Sequence, residues 1–404
     1  IGKDTRKSGD MLEAALTAGL CSMGAKVIPL GVVPTPAVAY LTRYYKADAG
    51  VVISASHNPC EYNGIKFFNS DGYKLSDGIE NEIESYILGE KAIEELPTHG
   101  KVGYVSANHN AVEDYVAFAV STIDCRLDGM KIAVDCANGA SYETAFKALN
   151  KLGANVEAIH NTPDGVNINH MCGSTHMESL QAYVTSIGAD IGIAFDGDAD
   201  RMLAVDENGK LIDGDQIMAA CAKFMRDNGT LKQNTLVATV MSNLGLFMAG
   251  EKIGINIPRT KVGDRYVLEE MLAKGYNIGG EQSGHIIFLD HNTTGDGLVS
   301  ALQFLSVLKK TGMKASEAAS IVTVMPQVLR NAVVKLENKN SYMENEEIAA
   351  ACKALEDEFA GEGRVLIRPS GTEPLVRVMI EGKDEEYITK KAEELAELIE
   401  KILG

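Results

Sequence analysis

The chain of 404 residues contains no tryptophan, and aromatic residues make up only 6% of it. It also lacks any apolar run near the roughly 18 residues that a membrane-spanning helix requires, so we expect no membrane association. The seven cysteines are an odd number and include no C-x-x-C pair. Reduced, mostly buried thiols are therefore expected rather than a disulfide framework or a zinc site, and the protein is expected to be cytoplasmic.

Positive charge is scarce as well. Lysine and arginine number 38 against 56 aspartates and glutamates, which leaves a net charge of −18. This balance argues against nucleic acid or an anionic membrane as a partner. An anionic small molecule would have to be held by a local cluster of hydrogen-bond donors.

The order of the predicted elements indicates several domains. Behind a Ser8 N-cap, Leu12, Leu16 and Leu20 recur at helical spacing, and Thr35-Pro36 predicts a second helix start. Strands and helices alternate up to about residue 320, which favours parallel sheets covered by helices. The remainder predicts an α+β domain. Turn-forming stretches suggest domains at residues 1–126, 127–228, 229–326 and 327–404.

Residues 54–59 (SASHNP) directly follow a predicted buried strand. Functional groups collect at the carboxyl ends of such strands, and Ser56, next to His57 and near Lys66, could carry a phosphoryl group. Taken alone, the pattern favours an Asn-Pro turn with capping serines over a nucleophile.

Residues 196–201 (DGDADR) also follow a predicted strand. Asp196, Asp198 and Asp200 would repel one another unless a cation neutralised them, and oxygen ligands suit magnesium or calcium. An EF-hand is excluded because Arg201 occupies the position that requires glycine, and because the flanking segments are strands. We therefore expect a magnesium site with open coordination positions.

Two further loops carry groups suited to a phosphorylated sugar. Residues 279–285 (GGEQSGH) present Glu281, Ser283 and His285, which would share one face of an extended segment; a plain hairpin turn is the equal alternative. Residues 368–374 (RPSGTEP), with Arg377 on the next strand, favour a phosphate cradle over a solvated turn. The four loops together predict phosphoryl transfer on a phosphosugar.

As a set, the motifs resemble the α-D-phosphohexomutase superfamily. The resemblance spans essentially the whole chain and is carried, in order, by residues 3–9 (KDTRKSG), 54–59 with 63–66 (NGIK), 196–201, 279–285 and 368–374. It implies three related α/β domains with mixed sheets plus a C-terminal α+β domain around a central cleft. The family also has a first strand and a Gly-Thr-Asp-Gly-type loop upstream of residue 3, so we expect the working protein to be longer at its N-terminus.

The resemblance also implies roles for individual residues. Ser56 is expected to be phosphorylated and to bind one Mg²⁺ together with Asp196, Asp198 and Asp200. The catalytic set is expected to comprise Ser56, His57, Lys66 and Arg6, with the choice of Lys66 or His57 for proton transfer left open. The expected substrate-binding residues are Arg201, Lys261, Gly263, Asp264, Arg265, Glu281, Ser283, His285, Arg368, Ser370, Gly371, Thr372 and Arg377.

The implied activity interconverts glucosamine 6-phosphate and glucosamine 1-phosphate through phosphoserine and a sugar bisphosphate, which serves as intermediate and activator. The product would feed UDP-N-acetylglucosamine and cell-wall precursors. The expected partner is a small phosphosugar, with a homodimer possible. A phosphoglucomutase or phosphomannomutase, or a non-catalytic sugar-phosphate-binding protein, stays open as an alternative. Ala199 departs from the family's glycine, and we expect it to have a negative φ.

Overall fold

A computed structural model describes residues 1–93, 95–107, 110–342, 344–370 and 373–404. The chain forms two compact units. The first unit comprises residues 1–241 and 255–321, and the second comprises residues 242–254 and 322–404. No helix within the described ranges is long and apolar enough to cross a membrane. The finer boundaries after residues 126, 228 and 326 stay predictions.

The first part of the first unit is a mixed sheet with helices. Its elements are β1 (Gly2–Lys3), α1 (Ser8–Ser22), β2 (Lys26–Val27), β3 (Gly31–Val32), α2 (Thr35–Tyr44), β4 (Ala49–Ile53), β5 (Ile65–Asn69), α3 (Asp77–Ile87), β6 (Tyr104–Val105) and α4 (Ala111–Ser121). The sheet order is β3-β1-β4-β5, in which only β5 runs antiparallel to its neighbour. The helices predicted from Ser8 and Thr35 are confirmed.

A second mixed sheet follows. Its elements are β7 (Lys131–Asp135), α5 (Ser141–Lys151), β8 (Asn155–Ile159), α6 (Glu178–Ile187), β9 (Ile191–Phe195), β10 (Met202–Asp206) and β11 (Leu211–Ile212). The order is β11-β10-β9-β7-β8, with β7 parallel to both β8 and β9. All five residues of β9 are buried. The loop that begins at Asp196 therefore leaves the sheet from its core.

The next elements are α7 (Gly214–Asp227), β12 (Ala238–Thr239), α8 (Leu244–Ile253), β13 (Arg259–Thr260), α9 (Asp264–Lys274), β14 (Ile278–Gly280), β15 (Ile286–Phe288), α10 (Gly297–Thr311) and α11 (Ala315–Ala319). Strands β12 and β13 pair in parallel, whereas β14 and β15 form the predicted hairpin. A capping box of Asp213 and Gln216 starts α7, and the Asp296 side chain caps α10. Helix α8 belongs to the second unit.

The second unit confirms the predicted α+β character of the C-terminal region. Its remaining elements are β16 (Gln327–Val333), α12 (Glu346–Phe359), β17 (Arg364–Pro369), β18 (Leu375–Glu381) and α13 (Glu385–Leu403). The sheet is antiparallel in the order β16-β18-β17. Helix α13 buries Ile388, Ala392, Leu395 and Ile399, which recur at helical spacing and pack in the core of this unit.

A buried ion pair closes one end of this sheet. Glu381 is fully buried, and its Oε2 accepts a hydrogen bond from Arg364 Nε at 2.7 Å. Its Oε1 accepts the backbone N–H of Leu244, the first residue of α8, at 3.2 Å. Arg364 also donates to the Ser242 carbonyl oxygen at 2.8 Å. The pair therefore ties α8 to the strands of the second unit.

We expect Glu381→Ala to destabilise this unit by about 3–5 kcal/mol, because the mostly buried charge of Arg364 would lose the carboxylate of its ion pair. Hydrogen exchange of the β18 amides measures the loss. The control is Glu393→Ala, which removes an exposed pair with Arg330 on the same unit and should leave this protection near the parent level. Equal protection in the two variants would contradict the assignment.

Candidate active site

Ser56 and Asp196 meet where two strands end. Ser56 lies in the turn after β4, and its Oγ donates a hydrogen bond to Asp196 Oδ2 at 2.7 Å. The backbone N–H of Ser56 donates to Ser54 Oγ at 3.0 Å. Ser56 has a φ of 52°, a left-handed conformation that costs about 1–3 kcal/mol for a residue with a side chain. The surrounding contacts must therefore hold this turn in place.

The three aspartates of residues 196–201 form one buried cluster. Each offers an oxygen atom, and these ligand atoms lie within 4.8 Å of one another. Burial, together with the negative charges of Asp198 and Asp200, raises the pKa of Asp196 well above its usual value. Burial also opposes ionisation of Asp198, but the charge of Lys66 and the hydrogen bonds that Asp198 accepts together lower its pKa.

Lys66 and Thr35 both bind Asp198. Lys66 Nζ lies 2.7 Å from Asp198 Oδ2 and 3.8 Å from Asp200 Oδ2. Thr35 Oγ1 donates to the same Asp198 oxygen at 2.6 Å. Burial opposes the charge on Lys66, but the two aspartates raise its pKa above the usual value. Sequence reasoning missed Thr35, since its Thr-Pro pair was interpreted only as a helix start.

The aspartate cluster fits a divalent cation. Asp198 Oδ1 and Asp200 Oδ1 are buried and have no hydrogen-bond partner among the described residues. A buried oxygen without a partner is costly, and a cation would satisfy both atoms. Carboxylate oxygens of this kind suit Mg²⁺.

A second group, Asp135, His160 and Cys172, also places its ligand atoms within 4.8 Å. Its carboxylate, however, is already satisfied. Asp135 Oδ1 accepts the Ala137 N–H at 2.8 Å, and Oδ2 accepts the Gly173 N–H at 3.0 Å and lies 2.9 Å from His160 Nδ1. The hydrogen bond to Asp135 raises the His160 pKa. This group is a hydrogen-bonded hub, whereas the aspartate cluster has oxygens to offer a metal.

The backbone conformation of Ala199 differs from the expected one. A negative φ was expected, but the residue has a φ of 53°. Its N–H donates to the Asp196 carbonyl oxygen at 3.1 Å, and its own carbonyl oxygen accepts the Gly297 N–H at 3.0 Å. The turn that gathers the aspartates requires this left-handed conformation, so the strain expected of a non-glycine residue is present here.

Arg6 was expected among the catalytic residues, and its guanidinium donates to Asp4 and to the backbone of the serine turn. Its Nε donates to Asp4 at 2.9 Å, and Nη2 donates to the carbonyl oxygens of Ser56 at 3.0 Å and Asn58 at 2.8 Å. Its Nη1 donates to the carbonyl oxygens of Pro59 and, at 2.9 Å, Tyr62. The side chain is fully buried. All five N–H donors of the guanidinium are used within the fold.

His57 and Arg201 extend the site toward solvent. Arg201 Nη1 lies 3.1 Å from His57 Nδ1. Burial and the positive charge of Arg201 lower the pKa of His57, although Asp198 and Asp200 oppose this. The predicted neighbours Ser56, His57, Lys66 and Arg201 are thus gathered around the aspartates.

The loop of residues 281–285 is a turn between β14 and β15, so the prediction of an extended segment with three side chains on one face is wrong. Glu281 N–H donates to the His285 carbonyl oxygen at 3.0 Å, which closes the turn. Ser283 is exposed, whereas His285 is buried. A hairpin leaves its three side chains in different environments, and the hairpin alternative holds.

Glu281 and His285 nevertheless lie beside other predicted residues. Glu281 Oε1 accepts the Gly263 N–H at 2.9 Å, and the φ of 125° at Gly263 requires glycine. His285 Nε2 lies 3.7 Å from Asp264 Oδ2 and 4.0 Å from Asp200 Oδ2. This histidine therefore links the hairpin to the aspartate cluster.

The other predicted substrate-binding residues between positions 261 and 265 contact side chains outside the hairpin. Asp264 pairs with Lys74, and Arg265 pairs with Asp77. Burial works against ionisation of Asp264, but His285 and Lys74 lower its pKa to about 2. Lys261 is exposed, with its Nζ 5.6 Å from the centre of the Tyr266 ring.

In the second unit, Arg368 and Arg377 face each other across β17 and β18. Burial and the charge of Arg377 lower the Arg368 pKa. Arg377 Nη2 lies 3.4 Å from Glu373 Oε2, and the Glu373 N–H donates to Ser370 Oγ at 3.3 Å. Opposed like charges destabilise a strand pair unless an anion is bound, which fits a phosphate site. The predicted Gly371 and Thr372 lie outside the described residues.

We expect the protein to bind one Mn²⁺ per chain, measured by calorimetry, and Asp198→Asn to lose this binding because a charged oxygen ligand is removed. The control is Cys172→Ser, which alters the hub around Asp135 and should keep the parent affinity. Retained affinity in Asp198→Asn, or its loss in Cys172→Ser, would contradict the location of the site.

Comparison with known proteins extends these observations over the whole chain. Four phosphoglucomutase/phosphomannomutase family models match: the alpha/beta/alpha domain I model over residues 1–94, domain II over 112–209, domain III over 213–325 and the C-terminal domain over 332–398. Phosphoglucosamine mutase from Ruminiclostridium cellulolyticum is 63% identical over 400 residues, which cover 99% of this chain and 89% of the relative.

Solved structures agree in fold. A phosphoglucomutase/phosphomannomutase family protein from Burkholderia thailandensis superposes with a TM-score of 0.80 at 23% identity, covering 98% of this chain and 88% of the other. N-acetylphosphoglucosamine mutase from Aspergillus fumigatus, solved in complex with GlcNAc-6P and magnesium, gives 0.67 at 19% identity over 92% and 93% of the two chains. The chain belongs to the phosphoglucomutase/phosphomannomutase family of mutases and, within it, to the phosphoglucosamine mutases.

Proposed function

We propose that this protein converts glucosamine 6-phosphate and glucosamine 1-phosphate into each other through a phosphorylated Ser56. The observation that carries the proposal is the hydrogen bond of 2.7 Å between Ser56 Oγ and Asp196, within an aspartate cluster that has two buried oxygens without a hydrogen-bond partner among the described residues. A phosphoryl acceptor beside a divalent-cation site is the arrangement that phosphoryl transfer requires.

In the proposed reaction, a free hydroxyl of the substrate attacks the phosphorus atom carried by Ser56. The bond between phosphorus and Ser56 Oγ breaks, a new bond to the sugar oxygen forms, and the hydroxyl proton passes to a base. The resulting sugar bisphosphate turns around, and Ser56 Oγ, protonated after the first transfer, gives up its proton as it attacks the other phosphorus atom. The bond between that phosphorus atom and the sugar oxygen breaks, and the sugar oxygen takes up a proton. Whether His57 or Lys66 accepts the proton stays open.

The residues around Ser56 suit this chemistry. Asp196, Asp198, Asp200 and an oxygen of phosphorylated Ser56 would hold one Mg²⁺, which would offset negative charge on the transferring group. Lys66, at 2.7 Å from Asp198, supplies a fixed positive charge beside the cluster. Arg6 holds the backbone of the serine turn, so that Oγ stays directed at Asp196.

Substrate binding is assigned to the remaining loops. Arg368, Arg377 and Ser370, with Gly371 and Thr372, would hold the phosphate that does not react. Glu281 and Ser283 would bind sugar hydroxyls, and Arg201, Lys261, Gly263, Asp264, Arg265 and His285 would surround them. Because Glu281 already accepts the Gly263 N–H at one oxygen, Oε1, its Oε2 is the atom proposed for the sugar.

The name of the 63% identical relative favours glucosamine phosphate over the glucose and mannose phosphates that stay as the alternative. The free amino group at C2 carries a positive charge that a hydroxyl lacks, so a carboxylate close to it would give this preference. A homodimer and a cytoplasmic location stay predictions.

Rates on glucosamine 6-phosphate, glucose 6-phosphate and mannose 6-phosphate, measured side by side, test the substrate. We expect the highest kcat/KM on glucosamine 6-phosphate and a loss of at least about 1,000-fold in Ser56→Ala, because the group that carries the phosphoryl is removed. The control is Ser70→Ala in an exposed turn of the same sheet, which should retain parent rates. A preference for glucose or mannose, or parent-like turnover in Ser56→Ala, would overturn the proposal.

A further inference from the structure

The serine turn is held by a second side chain, which the motifs did not indicate. Asn169 lies in the loop between β8 and α6, away from residues 54–59 in sequence. Its Nδ2 donates to the carbonyl oxygen of Ser56 at 2.9 Å and to that of Asn58 at 3.0 Å. These are the same two carbonyl oxygens that accept Arg6 Nη2. Two donors from different parts of the chain thus bind the same two turn carbonyls.

The amide of Asn169 is placed for this contact at some cost. The residue is 7% exposed and has a φ of 58°, a conformation that asparagine tolerates better than most side chains. Its Oδ1 is buried without a hydrogen-bond partner among the described residues. Because the two turn carbonyls accept hydrogen bonds, the amide nitrogen of Asn169 faces them. Its Oδ1 is therefore left without a donor among the described residues. The contact with the serine turn therefore determines how this amide is oriented.

The loop of residues 196–201, which carries the aspartate cluster, packs against the same contact. Gly197 stands between Asp196 and Asp198, and a Cβ at this position would lie 2.6 Å from the Ser56 carbonyl oxygen and 2.7 Å from Asn169 Nδ2. Such distances are too short for any side chain. The Ser56 carbonyl, the Asn169 amide and the backbone of residues 196–201 are therefore closely packed against one another.

The Asp135 hub holds Asn169 in place. The Asn169 N–H donates to the Ala137 carbonyl oxygen at 2.9 Å, and the Ala137 N–H donates to Asp135 Oδ1 at 2.8 Å. On the other side of the loop, the Gly173 N–H donates to Asp135 Oδ2 at 3.0 Å. A fully buried carboxylate thus fixes the segment that presents the amide.

We propose that Asn169 is a positioning residue for phosphoryl transfer, whose amide, bound to the Ser56 and Asn58 carbonyls, keeps Ser56 in its left-handed conformation with Oγ directed at Asp196. The inference rests on the proposed function. Without the amide, Arg6 alone would restrain the two carbonyls, and the strained turn could relax so that Oγ moves away from Asp196. A displacement of about 1 Å at a reacting atom can cost about 100-fold in rate.

The test is Asn169→Gly, because glycine accepts the φ of 58° without strain while the side chain that carries the amide is removed. Ser56 is first phosphorylated with glucose 1,6-bisphosphate, and transfer to glucosamine 1-phosphate is then followed in a single turnover. The rate constant per phosphorylated enzyme should fall about 10- to 100-fold, while the KM for glucosamine 1-phosphate stays within about threefold of the parent. A merely structural role would reduce the fraction of competent enzyme but leave that rate constant unchanged.

The control is Asn234→Gly, another exchange at a left-handed asparagine, which is exposed in the turn before β12 and should keep the parent rate constant. If Asn169→Gly does not fold, as judged by circular dichroism, Asn169→Asp is measured instead. This variant keeps the size of the side chain but places a carboxylate against two carbonyl oxygens. Its rate constant for phosphoryl transfer should fall at least as far. A rate constant within about twofold of the parent in the folded variant would overturn the inference. Absence of transferable phosphoryl in the parent and in Asn234→Gly would instead refute the proposed function.

Discussion

Three buried carboxylates held within 4.8 Å of one another are the constraint on which the candidate site depends. Their mutual repulsion in a buried setting must be offset, and the fold brings Lys66, Thr35 and Ser56 to them for this purpose. These donors leave two oxygens, one each on Asp198 and Asp200, without a hydrogen-bond partner among the described residues. The aspartate cluster therefore has oxygen ligands to offer, and a divalent cation would offset its negative charge.

The turn that carries Ser56 is the second half of this arrangement, and it is held from its backbone side. The left-handed Ser56 is restrained by Arg6 and Asn169, whose side-chain donors act on carbonyl oxygens of the turn or on Asp4. Their contacts leave Oγ free to face Asp196. Because these side chains bind the turn from its backbone side, they leave space at Oγ for the proposed phosphoryl group.

Much of this could be predicted from the sequence, for identifiable reasons. The apolar run of β9 and the alternate aspartates after it predicted a buried strand and a loop with clustered carboxylates, because both patterns lie within a few consecutive residues. Other features depend on contacts between distant segments. The φ of Ala199 is set by a turn whose carbonyl accepts Gly297, Arg6 is directed inward by Asp4 and four turn carbonyls, and Asn169 reaches Ser56 across more than one hundred residues. No local sequence pattern indicates such contacts. At residues 281–285, the alternation of polar residues could not distinguish an extended segment from a hairpin turn.

Phosphorylation of Ser56 is the claim that joins the aspartate cluster and the restrained turn into one reaction. Intact-protein mass spectrometry of freshly purified protein, followed by peptide mapping, tests it most directly. The account predicts a fraction of molecules heavier by one phosphoryl group, with the phosphate located on Ser56. A phosphate located on a different residue, or none on Ser56 after incubation with a hexose bisphosphate and Mg²⁺, would contradict it.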